Sequence, residues 1–162
     1  MNPVPPALSG TPTVIGPAQL ARTARAVAGT PARWRDLIRY DTGQRWYLRL
    51  VRDDSREIWL LSWLPGQHTG FHDHGASAGA FVVVQGALRE RAAPGGRPED
   101  PGRALPHGTV RSFGPGYVHD VMNTSTRPAV SIHAYSPPLR SMRRFEPSPG
   151  GLLRVSWEDR SW

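Results

Sequence analysis

His72 and His74 stand two residues apart, so on an extended strand both imidazoles project from one face. Such a pair can grip one metal ion while a third ligand arrives from another strand. Imidazole suits iron, zinc, copper or nickel, so the pair alone names no metal. Further along, Ser131, His133 and Tyr135 occupy positions i, i+2 and i+4 of an apolar run. On a strand this puts a hydroxyl, an imidazole and a phenol on one side, where they can form a hydrogen-bonded relay. Upstream, Tyr47 and Arg49 alternate with Leu48 and Leu50. With the leucines packed outward, the arginine points inward, and a buried guanidinium requires an anion. Its planar fork fits a carboxylate in a way that Lys or Gln cannot reproduce.

The elements that must position these groups are short. Residues 1–16, rich in Pro, Thr and Gly, read as a loose arm, and 17–162 as one domain. Pro17 suits the first position of a helix, with Leu20, Ala24 and Val27 on one face. Thr30-Pro31 repeats the start signal, with Trp34, Leu37 and Ile38 on one side. After Tyr40 the helical period disappears. Strands are predicted over 46–51, 58–64, 80–84, 88–92, 109–113, 117–122, 129–135 and 152–157, with 91–108 as an exposed turn-rich loop. Two helices followed by about eight short strands give a mainly β sandwich or barrel with a helical N-terminal layer.

Composition narrows the function. A chain of 162 residues and 17.8 kDa with 38% hydrophobic residues suits one domain with one core. The formal net charge of +7 comes from 20 basic residues, all of them Arg. They are scattered and not interleaved with aromatics, so neither nucleic-acid binding nor a membrane-surface role is expected. No apolar run reaches the ~18–20 residues of a membrane span. Met1–Gly10 has no basic start and no apolar stretch, so a cytoplasmic protein is expected. The absence of cysteine excludes disulfides, thiolate metal sites and cysteine-derived crosslinks.

Spacing adds a resemblance. Gly66, His72, His74, Gly79 and Gly86 follow the first cupin motif at every position except its Glu, where Gly79 stands. Gly116, His119 and Asn123 resemble the end of the second motif, although its Pro is displaced to Pro115. The resemblance implies a cupin-type double-stranded β-helix barrel with His72, His74 and His119 as metal ligands. Without a carboxylate ligand the ion keeps its full charge, and Gly79 is expected to leave room beside it.

A third stretch, Ser131-Ile-His133-Ala-Tyr135-Ser-Pro-Pro, is similar to that of the cysteine dioxygenases, as are Tyr47-Leu-Arg49 and Trp63 nine residues before His72. The likeness runs from about Tyr47 to Met142. It implies Fe(II) as cofactor and L-cysteine and O₂ as the small-molecule substrates of a monomeric enzyme, with cysteine sulfinic acid as product. Arg49 and Tyr47 would hold the substrate carboxylate, Tyr135 would bond the bound substrate or oxygen, and His133 and Ser131 would orient Tyr135. The Ser136-Pro137 bond would be cis. Members from animals join a cysteine at the place of Gly79 to the tyrosine; here Tyr135 is expected to be an unmodified phenol. A dioxygenase of 3-mercaptopropionate or cysteamine, and a metal-holding cupin sensor without turnover, are the competing readings. His68 and His107 are expected to be outside the site, Trp34, Trp59 and Trp157 in the core, and Met142 in the pocket or core.

Overall fold

The computed structural model describes residues 14–159, the side chain of Asp159 excepted; residues 1–13 and 160–162 lie outside the described residues. One helix, α1 (Pro17–Ala28), starts on its proline as expected and buries Leu20 and Ala24. Ten strands follow: β1 (Trp46–Arg52), β2 (Glu57–Trp63), β3 (Ala78–Gln85), β4 (Ala87–Ala92), β5 (Arg103–Pro106), β6 (Val110–Phe113), β7 (His119–Met122), β8 (Ala129–Ser136), β9 (Met142–Pro147) and β10 (Leu153–Asp159).

Five strands form a sheet in the order β1-β2-β8-β3-β6. Its outer face carries α1. Leu20, Ala24 and Trp34 pack there on Ile58, Leu60, Ala80, Val82, Val130, Ile132 and Ala134. Its inner face contributes Leu61, Trp63, Phe81, Val83 and Phe113 to a second core. β8 lies between β2 and β3 and is buried along its whole length. Its alternation of apolar and polar residues therefore separates two interior faces, not core from solvent.

Facing this sheet are β5-β4-β7 and the hairpin β9-β10. The irregular segment carrying His72 and His74 bridges them. Thr69 N donates to Val121 O on β7, His72 and His119 exchange both backbone bonds, and on the other side Asp73 N donates to Arg143 O and Phe145 N to Phe71 O. The architecture is the expected mainly β double-stranded β-helix. Ser136-Pro137 is cis, as is Asp100-Pro101.

Several expectations are corrected. After Thr30-Pro31 only two single-turn 3₁₀ pieces form, Pro31–Arg33 and Arg35–Leu37. Trp34, between them, is drawn into the core, where its indole N–H donates to Val27 O at 3.0 Å. The loop over 91–108 contains β5, which pairs with β4, and β9 forms although Met-Arg-Arg-Phe-Glu-Pro lacks a clean alternation. Trp157, expected in the core, is 56% exposed on β10. Of the arm, residues 1–13 lie outside the described residues. Ile15 is buried, and its N–H donates to Ser136 Oγ at 2.9 Å.

Candidate metal centre

The backbone exchange between His72 and His119 brings the second motif's histidine beside the first motif's pair. All three are buried, and one ring nitrogen from each lies within 4.8 Å of the others. Their neighbours fix which nitrogens face the cluster. His72 Nδ1 lies 2.9 Å from Gly70 O, and a carbonyl only accepts, so Nδ1 donates and Nε2 carries the free lone pair. His119 Nδ1 lies 2.9 Å from Glu90 Oε1, which by the same logic leaves its Nε2 free. That Nε2 and both ring nitrogens of His74 are buried without a hydrogen-bond partner. Each buried orphan costs roughly 1–3 kcal/mol, a penalty that a metal ion among the three rings would remove for His119 Nε2 and for one of the two His74 nitrogens. Burial, reinforced by the neighbouring imidazoles and arginines, lowers the pKa of His72 and His74 well below the ordinary value, which keeps them in the neutral form that ligates.

Two residues that sequence reasoning missed hold this arrangement. Glu90 on β4 is buried beside His119, and its second oxygen accepts from Arg111 Nε at 2.5 Å. Arg111 Nη2 reaches Tyr117 OH at 3.3 Å. Burial pushes the Glu90 carboxyl up, but His119 and Arg111 outweigh it and hold the group below the usual carboxylate range. Asp73, between the two motif histidines, turns to the opposite side. It accepts from Arg143 Nε at 2.8 Å and from Gly75 N at 3.2 Å, pinning the segment to β9. In the sequence, the signal for Asp73 is its place between the paired histidines, two residues before Gly75; the signal for Glu90 is its alternation with Leu88 and Ala92 on one face of a strand.

The place of the fourth ligand is full. A Cβ on Gly79 would stand 2.5 Å from Phe113 Cε2 and Cζ and 3.0 Å from Tyr135 Cδ1. Gly79 pairs with Phe113 on one side and Tyr135 on the other, so both rings lean over the missing side chain. The expected room beside the metal is therefore occupied by Phe113, which also stacks on His74 at 5.3 Å.

The relay is present along the inner face of β8. Trp63 Nε1 donates to Ser131 Oγ at 2.9 Å, Ser131 Oγ lies 2.8 Å from His133 Nε2, and His133 Nδ1 lies 3.1 Å from Tyr135 OH. The Ser131 hydroxyl proton has no other acceptor among the described residues, so it is donated to His133 Nε2. The remaining imidazole proton, on Nδ1, is then donated to the Tyr135 oxygen. This leaves the phenol O–H pointing onward. Burial, with Arg45 nearby, holds His133 well below its ordinary pKa and therefore neutral, and burial raises Tyr135 well above the usual phenol value. No cysteine exists to modify Tyr135.

Both groups open onto one cavity of about 190 Å³. His72, His74 and His119 line it together with His133, Tyr135, Tyr47, Trp59 and Met142. Arg49 is not among its lining residues. Its side chain is 37% exposed, stands over Trp59 at 5.3 Å and lies 3.9 Å from Glu57 Oε2. The anion that Arg49 meets is thus Glu57, buried at the start of β2. The cationic lining comes instead from Arg45 and Arg144, whose signal was their position on the same face as Tyr47 and Met142. His107 is exposed, as expected, and His68 is an exposed loop residue.

Three buried imidazoles with converging free lone pairs, inside a double-stranded β-helix, define a metal-binding cupin. The model of the family described as cysteine dioxygenase type I matches residues 17–148, and the chain belongs to that family. It is 30% identical over 137 residues to cysteine dioxygenase type 1 of Danio rerio, covering 74% of this chain and 65% of that one. To the Rattus norvegicus enzyme of the same name it is 29% identical over 144 residues, 81% of this chain and 70% of that one. The chain thus spans about two thirds of the length of these relatives. Among solved structures, a double-stranded β-helix protein from Klebsiella pneumoniae is similar with a TM-score of 0.57 and 15% identity, covering 76% of this chain and 93% of that one. An RmlC-like cupin from Desulfovibrio desulfuricans follows with a TM-score of 0.55 and 17% identity over 63% and 91%. These two share the fold.

Proposed function

We propose that the protein is a non-haem iron thiol dioxygenase that oxidises L-cysteine with O₂ to cysteine sulfinic acid. The observation that supports it most is the convergence of the three-histidine cluster and the Tyr135 end of the relay on one small cavity. A passive metal holder has no use for a buried phenol oriented by His133, Ser131 and Trp63. In the overall change RSH + O₂ → RSO₂H, sulfur gives up four electrons, O₂ takes them, and both oxygen atoms end on sulfur, so no outside reductant is needed.

His72, His74 and His119 would hold Fe(II), which would supply the acidification of the thiol and the activation of O₂. The protein's own residues position. The Tyr135 O–H, kept protonated by burial, donates a hydrogen bond to the oxygens arriving at sulfur. His133 Nδ1–H fixes the phenol, and Ser131 fixes the tautomer of His133. Leu61, Val121, Leu139 and Met142 exclude water from the carbon skeleton. The substrate carboxylate is assigned to Arg45 in place of Arg49, with Tyr47 beside it. Arg45 lines the cavity over Trp63 at 4.9 Å, and its Nε is buried without a partner. The enzyme works as a monomer in the cytoplasm on dissolved small molecules, without nucleic acid or membrane; none of its described helices is long and apolar enough to cross a bilayer.

Metal analysis joined to oxygen uptake and sulfinate detection with L-cysteine tests the reading. Iron near one per chain and coupled consumption of cysteine and O₂ are expected. Full iron loading with no thiol consumed would favour the sensor alternative. Arg45→Gln should cost cysteine roughly 30-fold or more in kcat/KM, from a charge-assisted pair worth about 2–5 kcal/mol in a desolvated site. Arg49→Gln should cost far less, and the reverse order would return the clamp to Arg49.

A further inference from the structure

Two guanidinia, not one, reach the cavity with no carboxylate of the described residues at ion-pair distance. Arg45, just before β1, and Arg144, on β9, come from opposite sheets. They hang on successive carbonyls: Arg45 Nη1 donates to His68 O at 3.4 Å, and Arg144 Nη1 to Thr69 O at 2.7 Å. Strand alternation separates Arg144 from its neighbour, since Met142 and Arg144 line the cavity while Arg143 turns outward to Asp73.

The buried acids are engaged elsewhere. Glu57 faces Arg49 and Arg52, Asp73 holds Arg143, and Glu90 holds His119 and Arg111. Asp120 accepts from Thr69 Oγ1 at 3.2 Å and lies 3.8 Å from His68 Nδ1. Among the described residues, no carboxylate is within ion-pair reach of Arg45 or Arg144.

A divalent ion on three neutral imidazoles adds two further positive charges to this cavity. A thiolate with one carboxylate brings two negative charges, which leaves the second guanidinium uncompensated in a half-buried place. Such a charge is costly unless paired. A thiol with two carboxylates brings three negative charges and offers each guanidinium an acceptor. The cavity of about 190 Å³ limits such a substrate to a short carbon skeleton.

We propose that Arg144 forms a second anion subsite, so that small thiols bearing two carboxylates are substrates preferred over the same skeleton bearing one. This rests on the thiol-dioxygenase reading above and extends its substrate class beyond L-cysteine. Mercaptosuccinate and 3-mercaptopropionate are the probes, because they differ by one carboxylate.

With iron-loaded protein, kcat/KM from oxygen uptake should favour mercaptosuccinate by about tenfold or more, the scale of one charge-assisted contact. Arg144→Gln should remove that preference, and Arg144→Lys should restore part of it. Calorimetric titration of both thiols under nitrogen should show the same order of affinities. Equal kcat/KM and equal affinity for the two thiols in the wild type would overturn the subsite. So would an Arg144→Gln protein that weakens both by the same factor, which marks Arg144 as a brace for Thr69 only. If no thiol is consumed but the anaerobic titrations keep the preference, the subsite stands and the dioxygenase reading falls.

Discussion

Replacing Glu90 with Gln probes how the fold holds His119, the third histidine of the cluster. Glu90 is 2% exposed and accepts from His119 Nδ1 at 2.9 Å and from Arg111 Nε at 2.5 Å. Gln has the same shape but no charge, and one of its two ends becomes an N–H₂ donor. That end must face either His119 or Arg111, both of which donate, so one contact is lost whichever way the amide turns. A buried hydrogen bond to a charged group contributes about 1.5–3 kcal/mol. For a chain of this size, each kcal/mol shifts the melting temperature by about 2–4 °C, so a fall of about 3–12 °C is expected. Metal affinity should fall about 10–100-fold, as when other outer partners of a ligating histidine are removed.

The pH dependence follows from Glu90's lowered pKa. Its stabilisation is fully present above the ordinary value of 4.5 and is lost as pH falls through the lower folded value. The difference between wild type and Glu90→Gln should therefore be constant near neutrality and shrink below about pH 4.5. Thermal melts at several pH values and a metal-buffered titration measure both. Unchanged melting together with unchanged metal affinity would refute the role given to Glu90.

Four further outcomes follow from the same geometry. Replacing His72, His74 or His119 by Ala should remove most bound iron and all turnover, read by metal analysis; a His119→Ala protein at full iron occupancy would break the site assignment. Tyr135→Phe should retain iron yet slow turnover by roughly 10–10³-fold, the range of a lost positioned donor, and intact mass should show no thioether in the wild type. Gly79→Cys should overpack against Phe113 and cost about 1–3 kcal/mol in thermal stability; the same substitution should cost less in a Phe113→Ala background, where the ring no longer fills that space. The metal-free protein should lose stability as pH falls below the ordinary imidazole value of 6.5. The folded pKa values of His72, His74 and His133 are lowered, so the unfolded chain binds more protons there; a flat melting profile from pH 8 to pH 5 would contradict this.

Whatever depends on local period and spacing is legible in the chain alone. The two-residue step from His72 to His74 and the Ser131–His133–Tyr135 line are properties of an extended backbone, whose side chains alternate wherever the strand is placed. The helix start at Pro17 depends only on a fixed φ and a missing N–H. Short 3₁₀ turns in place of a second helix, and strands β5 and β9, were decided by packing and pairing that no local pattern encodes. Tertiary structure alone chose the partners. Gly79 promised space, but Phe113 arrives from β6 to fill it. Arg49 was expected to point into the barrel, but it is 37% exposed and outside the cavity lining, beside the buried carboxylate of Glu57 that the β1–β2 hairpin brings to it. Arg45 and Arg144, 99 positions apart in number, meet one cavity only because the 67–73 segment threads between β7 and β9 and offers each a carbonyl. Glu90 gains its importance in the same way, from a ladder that sets β4 beside β7 and so brings a carboxylate to His119. Charge compensation and steric exclusion act over a few ångströms in space, and sequence distance does not report them.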